Sequence, residues 1–146
     1  MTAKQMWERF TEESGRKDTK YEAWQFGDDT DRLAELTAKG IKTATCSAYC
    51  FYETEGESMP QEGEYSVILN AKEEAVCVIQ TTKVFVEKFQ NISEEHAYKE
   101  GEGDRSLAYW RKVHKDFFTK ELAAVNRAFS EDMLLVCEEF AVVYPA

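Results

Sequence analysis

The sequence is poor in residues that break secondary structure, with two prolines and seven glycines among 146 residues. It has no apolar run close to the roughly 20 residues that a membrane-spanning helix needs. Its first ten residues, MTAKQMWERF, lack the apolar stretch of a secretory signal. These absences predict a cytoplasmic protein without membrane contact. Hydrophobic residues at 43% and aromatic residues at 13% are typical of a folded chain, and the length fits a single domain over residues 1–146.

The four cysteines are scattered along the chain. Cys46 and Cys50 have CxxxC spacing, but Cys77 and Cys137 do not form a second pair with it. Zinc sites of this type combine two cysteine pairs, or one pair with well-placed histidines. We therefore interpret the four cysteines as structural thiols and expect neither a metal nor a cofactor.

Basic residues are outnumbered, with 18 Lys and Arg against 28 Asp and Glu and a formal net charge of -10. Because Lys and Arg supply most of the affinity for a phosphate backbone, this charge balance argues against strong sequence-independent binding to nucleic acid. A local basic pocket remains compatible with it. Most of the acid is interpreted as solvated faces that favour solubility.

The first third of the chain predicts two helices around a short extended segment. Residues 3–13 place Met6, Trp7 and Phe10 on one helical face, within an N-terminal helical extension over residues 1–20. In the segment YEAWQF the aromatic residues alternate with other residues, which is typical of a short extended segment. A second helix begins near residues 28–30, with polar caps, and stops at Gly40.

The rest of the chain predicts a sheet with one inserted helix. Residues 41–52 have the β-branched and aromatic composition of a strand. YSVILN and AVCVIQTTKVFVEKF indicate a hairpin joined by a polar turn, and MLLVCEEFAVVY a final strand. Residues 106–122 have helical periodicity. The order predicts an α+β fold whose mixed or antiparallel sheet curls into a small β-barrel with flanking helices.

The stretch GIKTAT, residues 40–45, places Lys42 and Thr45 at a helix-to-strand junction. A lysine on a strand is usually exposed. If its neighbours force it inward, burial lowers its pKa and lets it accept a proton near neutral pH. Residues three apart do not share a strand face, so Lys42 and Thr45 converge only if the chain bends after Gly40.

A second polar cluster, HAYKEGEGD, presents His96, Glu100, Glu102 and Asp104 on a segment interrupted by glycines. Such a loop can direct carboxylates into a pocket. The alternative is a flexible acidic loop whose last residues cap the next helix. His96, Glu100, Asp104 and His114 have metal-ligand chemistry, but their spacing matches no recognised metal motif.

Aromatic residues offer a further interpretation. Trp24, Tyr49 and Trp110 have the flat faces that stack on a planar ligand, although most tryptophans in small domains belong to the core. His114 is close in helical phase to Trp110, so it is either a core or rim histidine or a catalytic one.

These motifs together resemble the ASCH superfamily, the small β-barrel domains related to PUA RNA-binding modules. GIKTAT is similar to the GxKxxT signature of that family. WQFGDDTDRLAELTAKG and EHAYKEGEGDRSLAYWRKVHKDFF look like segments of the larger bacterial members, so the resemblance covers nearly the whole chain. It implies a PUA-like barrel with a cleft beside it, which the signature lysine and threonine line.

The resemblance also implies candidate site residues. One branch of the family removes the acyl group of N(4)-acetylcytidine with a lysine, a threonine and a glutamate. By that match Lys42, Thr45 and Glu100 would be catalytic, Lys42 as a neutral base for Thr45 and Glu100 handling water or the leaving amine. Glu102 would replace Glu100 if the loop register shifts. The expected substrate-binding residues are Trp24, Tyr49, Glu102, Arg105, Trp110 and His114.

The partner implied is a small nucleoside or nucleotide ligand, and the function a hydrolase of acylated nucleosides or related amides. RNA is the alternative partner. PUA kinship and a ribonuclease branch imply an RNA- or nucleotide-binding module or a single-stranded RNA ribonuclease. That alternative requires Lys39, Lys42, Arg105, Arg111 and Lys112 to form one basic patch.

Overall fold

The computed structural model describes residues 1–16 and 20–145. Part of the expected N-terminal extension, residues 17–19, lies outside them. In chain order the elements are α1 Ala3–Ser14, β1 Glu22–Gln25, α2 Thr30–Ala38, β2 Ala44–Ala48, α3 Tyr49–Thr54, β3 Tyr65–Leu69, β4 Ala75–Lys88, a 3-10 turn Phe89–Asn91, α4 Glu94–Glu100, α5 Leu107–Ala123 and β5 Leu134–Tyr144. No helix among the described residues has the length and apolar character to span a bilayer.

The five strands form one mixed sheet in the order β1-β3-β4-β5-β2. β1 runs parallel to β3, and the other three pairings are antiparallel. β4 is the longest strand, and its pairing register shifts at two places against β5. Such irregularities increase strand bending and twist, so the sheet curls into a half-barrel with helices around it.

Three hydrophobic clusters hold the helices to the sheet. α1 packs Met6, Trp7 and Phe10 against β3 and β4, because these residues share one helical face. α2 packs Leu33 and Ala34 against other residues of β3, β4 and β5. The third cluster contains α4, α5, β2 and β5. α2 and α5 thus flank the strands that carry the candidate site.

Most of the predicted elements are confirmed. The hairpin is β3 and β4, joined by a turn at residues 70–74, and the periodic segment at 106–122 is α5. Strand β2, however, is shorter than predicted: residues 49–54 are helix α3. Cys50 and Phe51 pack on the third cluster from that helix, so tertiary contacts outweigh the strand propensity of this aromatic segment.

Candidate functional site

A tight turn after α2 directs Lys42 into the protein. Gly40 has φ +74, and the carbonyl of Leu36 accepts from the backbone N–H of both Ile41 and Lys42. Thr43 N–H then donates to the carbonyl of Lys99, 2.7 Å away. The turn is therefore fixed at both ends, and the Lys42 side chain is 1% exposed.

Helix α4 brings Glu100 against this turn. Ser93 caps the helix start by accepting from His96 N–H, and Gly101 ends it with φ +75. A Cβ at Gly101 would lie 2.6 Å from the carbonyl oxygen of Ile41. Only glycine allows this approach, so the end of α4 and the Lys42 turn are packed backbone to backbone.

The Glu100 carboxylate is surrounded by donors. Its Oε2 accepts from Trp110 Nε1 at 2.8 Å and lies 2.8 Å from His96 Nε2. Its Oε1 lies 3.3 Å from His114 Nε2 and 3.4 Å from Lys42 Nζ. Both oxygens of a side chain that is 1% exposed are thus engaged, which leaves Glu100 little capacity to shuttle protons.

Lys42 also has all three of its N–H donors occupied. Nζ lies 3.4 Å from Glu100 Oε1, 3.3 Å from the Glu100 carbonyl and 3.2 Å from Glu102 Oε2. It lies 5.3 Å from the ring centroid of Phe26, a favourable cation–π position. An ammonium group with this set of partners is a fixed positive charge.

The ionisation of the pair follows from these contacts. Burial alone disfavours the charge on Lys42, yet its pKa is raised because the carboxylates of Glu100 and Glu102 face it. Burial likewise opposes the Glu100 charge, but Lys42 and His114 hold the pKa of that carboxyl well below its usual range. The expectation of a neutral Lys42 base is therefore wrong: desolvation is present, but two carboxylates outweigh it.

His114 completes the charged cluster. Its ring stacks on Trp110 with centroids 4.3 Å apart, and its Nδ1 lies 2.9 Å from the Trp110 carbonyl oxygen. Burial alone would lower the pKa of His114, but the Glu100 carboxylate outweighs burial and raises that pKa. His114 thus tends to be cationic beside Glu100.

A metal would find ligand atoms here but also a competing charge. Atoms of Cys46, Glu100 and His114 lie within 4.8 Å of one another, a donor set that suits zinc. Burial raises the pKa of the Cys46 thiol well above its ordinary value, whereas a metal needs the thiolate. Lys42 already supplies the positive charge beside Glu100, so the arrangement fits an ion-pair network better than a metal centre.

Two adjoining cavities open next to this network. A small recess of about 60 Å³ is lined by Lys42, Glu100, Glu102 and His114, among others. A larger cavity of about 590 Å³ is lined by residues of all five strands. Phe26, Gly27, Thr45, Cys46 and Phe117 line both, so the recess adjoins the larger cavity.

Thr45 stands where the two cavities meet. It lies in β2 and is directly opposite Glu138 of β5 in the antiparallel pairing. No hydrogen bond joins Thr45 Oγ1 to Lys42 Nζ in the described part of the chain. Thr45 therefore has a position for chemistry on a bound ligand, but its hydroxyl is not paired with the lysine.

Of the six predicted binding residues, three line a cavity and three do not. Trp24 lines the larger cavity, Glu102 and His114 line the recess, and Trp110 is buried at 2% and holds Glu100 instead of facing a ligand. Tyr49 and Arg105 line neither cavity. Arg105 donates to the carbonyls of Tyr98 and Ile41, so it stabilises the turn before Lys42.

Glu138, Ser66 and Thr81, which also line the larger cavity, were not anticipated. Most acidic residues are expected to be solvated, and Glu138 is an exception. Glu138 shares one strand face with the apolar residues Val136 and Phe140, which are both buried. This spacing of two residues was the available signal that Glu138 faces inward. For Ser66 the same signal is its place two residues before buried Ile68 in β3.

Comparison with known proteins gives consistent matches. The sequence model of the ASCH domain family matches residues 4–144. An ASCH domain structure from Lactobacillus crispatus JV V101 is 37% identical, with a TM-score of 0.91 over 97% of this chain and 93% of that one. Protein EF3133 from Enterococcus faecalis V583 is also 37% identical, with a TM-score of 0.89 over 96% and 86%.

A hypothetical protein, PH0355, is 15% identical with a TM-score of 0.56, over 86% of this chain and 100% of that one, and shows the fold alone. No curated protein matches the sequence. The family match spans nearly all of the residues, including the Lys42 turn, α4 and α5. The chain belongs to the ASCH domain family.

Proposed function

We propose that the protein is a hydrolase of acylated nucleosides or related amides, with Thr45 as its nucleophile. The observation that carries the proposal is the position of Thr45, at the junction of a ligand-sized cavity and a recess that holds a buried lysine. Pockets for small ligands typically have volumes of about 300 to 1,000 Å³, a range that includes the 590 Å³ of the larger cavity.

The walls of the cavity suit a planar, uncharged group. Trp24, Phe26, Tyr52 and Phe117 supply aromatic surface, on which a base can stack. The described lining contains five glutamates and no lysine or arginine. Because carboxylates repel phosphate, these walls favour a nucleoside over RNA, and Lys42 is too deeply buried to contribute to a surface patch for a phosphate backbone.

In this scheme Lys42 acts as a cation and not as a base. The Thr45 oxygen attacks the acyl carbon, and negative charge develops on the acyl oxygen. A fixed ammonium group in the adjoining recess stabilises that charge. Of the Lys42 contacts, the one to Glu102 is the easiest to exchange for a substrate oxygen, because Glu102 lies between two glycines and is 18% exposed. Glu100 keeps Lys42 charged and in place.

The test is chromatographic. The parent protein is incubated with N(4)-acetylcytidine, other acylated nucleosides and their 5′-phosphates, and cytidine or the corresponding amine is measured. We expect hydrolysis of nucleosides in preference to nucleotides. Thr45→Ala should abolish turnover and Thr45→Ser should retain part of it. Thr43→Ala is the matched control, because Thr43 lines neither cavity.

Release of product by Thr45→Ala at the parent rate would refute the nucleophile assignment. Absence of product from every acylated nucleoside would refute the proposed function. Urea unfolding curves of each variant show whether a loss of turnover reflects a loss of fold.

A further inference from the structure

The proposed reaction needs a base for Thr45, and the buried ion-pair network does not offer one. Lys42 has its three donors occupied and Glu100 has both oxygens engaged. His114 faces Glu100 and has a raised pKa, so it tends to hold its proton. Glu100 and Glu102 both face Lys42, whereas the larger cavity, on the other side of Thr45, is lined by carboxylates outside this network.

The strand pairing places a carboxylate there. Glu138 of β5 is directly opposite Thr45 of β2, and both side chains line the larger cavity. Opposite residues of an antiparallel pair have Cβ atoms about 4.5 to 5.5 Å apart and share a face. No hydrogen bond joins the two side chains in the described chain, but rotation of the Glu138 side chain brings its carboxylate within reach of Thr45 Oγ1.

We propose that Glu138 is the base that removes the proton from Thr45 when this oxygen attacks an acyl group. The inference deepens the proposed function and rests on it for the identity of the nucleophile. It adds a catalytic residue that the Lys42, Thr45 and Glu100 match does not contain.

The surroundings of Glu138 suit this role. Burial, then the charges of Glu64 and Glu22, raise the pKa of its carboxyl to about 7, against a smaller opposing effect of a hydrogen bond from Thr81. Its other titratable neighbours are Tyr52 of α3 and Cys137 of β5, whose pKa values the Glu138 charge raises. A base whose pKa lies near the operating pH is the most effective.

The cavity also offers a hydroxyl to a bound molecule. Ser66 is only 7% exposed and lines the cavity. It pairs with Glu22 across β1 and β3, and Glu22 lines the same cavity. The Ser66 hydroxyl is therefore placed to hydrogen-bond a ligand in the cavity that Glu138 also lines.

The steps balance in atoms and charge. Glu138 takes the Thr45 hydroxyl proton while the Thr45 oxygen bonds to the acyl carbon, and the carbonyl electron pair moves to oxygen. When the carbonyl re-forms, the C–N bond breaks and Glu138 returns the proton to the leaving amine. Water then attacks the Thr45 ester and gives its proton to Glu138. Collapse releases the carboxylic acid, and Glu138 reprotonates the Thr45 oxygen.

An activated acyl donor tests this step without the amide substrate. The parent is treated with p-nitrophenyl acetate from about pH 5 to about pH 9 and quenched with acid at several times within the first turnover, and the initial rate of Thr45 acetylation is measured by peptide mass spectrometry. We expect this initial rate to rise with pH around a midpoint of about 7. Glu138→Gln should lower it by about a hundredfold or more. The control, Glu139→Gln, changes the next residue of β5, which lines neither cavity.

Glu64→Gln adds a readout that a purely structural role would not change. Because it removes a neighbouring negative charge, the midpoint of Thr45 acetylation should fall below that of the parent. A parent Thr45 that acquires no acetyl group within the first turnover, or that acquires it at the same initial rate in Glu138→Gln, would overturn the assignment. Failure of the proposed function is seen separately, as the absence of amine release from the acylated nucleosides.

Discussion

Removal of the positive charge from the buried ion pair should destabilise the protein measurably. In Lys42→Met the Glu100 carboxylate, 1% exposed, loses the cation 3.4 Å away. At an effective dielectric constant of about 20, charges at that distance attract by about 5 kcal/mol. Removing one partner of a buried pair costs about 3 to 5 kcal/mol. His114, 3.3 Å from the same carboxylate, remains, so we expect a loss near 3 kcal/mol.

The assay is urea unfolding, followed by circular dichroism, of Lys42→Met, Glu100→Gln and the double variant. In the double variant both charges are gone, so its loss should be smaller than the sum of the single losses. Lys39→Met and Glu35→Gln form the matched control: this pair is shorter, at 2.7 Å, but its side chains are 59% and 63% exposed. Exposed pairs contribute only about 0 to 1 kcal/mol.

The reasoning would be refuted by a Lys42→Met loss no larger than that of Lys39→Met, or by additive effects in the double variant. Either result would mean that Lys42 and Glu100 are not a buried charged pair. A Lys42 that is neutral in the folded protein would give the same result, and the mechanism would then revert to a lysine base.

Three further predictions follow from the same contacts. Gly101→Ala should destabilise more than Gly40→Ala, since both have positive φ but only the Gly101 Cβ would meet a backbone oxygen, at 2.6 Å; equal urea midpoints would contradict this. Trp110→Phe removes a 2.8 Å donor to Glu100 and should cost about 1.5 to 3 kcal/mol; an unchanged free energy of unfolding would refute that role. With its pKa raised from 4.5 to about 7, Glu138 destabilises the fold as pH rises through that window, because the unfolded chain loses the proton first. Glu138→Gln should therefore match the parent near pH 4 but exceed it at pH 8 by about 1 to 3 kcal/mol; a constant difference across pH would be inconsistent.

Local sequence patterns were sufficient to predict much of the fold. The β3–β4 hairpin has strong alternation and a polar turn, and α5 has helical periodicity and a serine cap at Ser106. These signals depend only on residues that are close in the sequence, so they predict the elements without knowledge of tertiary contacts. Helix α3 does not follow this rule, because its segment has strand propensity and its helical state depends on contacts of Cys50 and Phe51 with the rest of the protein.

The site was predictable only in part. The glycine stop at Gly40 indicated a bend, and the bend turns Lys42 inward. The charge on Lys42 could not be read from the sequence, because it depends on Glu100 and Glu102, which lie 58 and 60 residues away in the chain. The pairing of Thr45 with Glu138 likewise depends on which strands are neighbours, a long-range property that local periodicity does not specify.

The most direct test of the central claim is to trap the acyl-enzyme. The parent and Thr45→Ala are mixed with N(4)-acetylcytidine, quenched in acid within the first turnover, and examined by peptide mass spectrometry while cytidine is measured in the same samples. The account predicts cytidine release together with one acetyl group on the peptide that contains Thr45, and neither in Thr45→Ala. Cytidine release without acetyl on Thr45, and undiminished in Thr45→Ala, would contradict it.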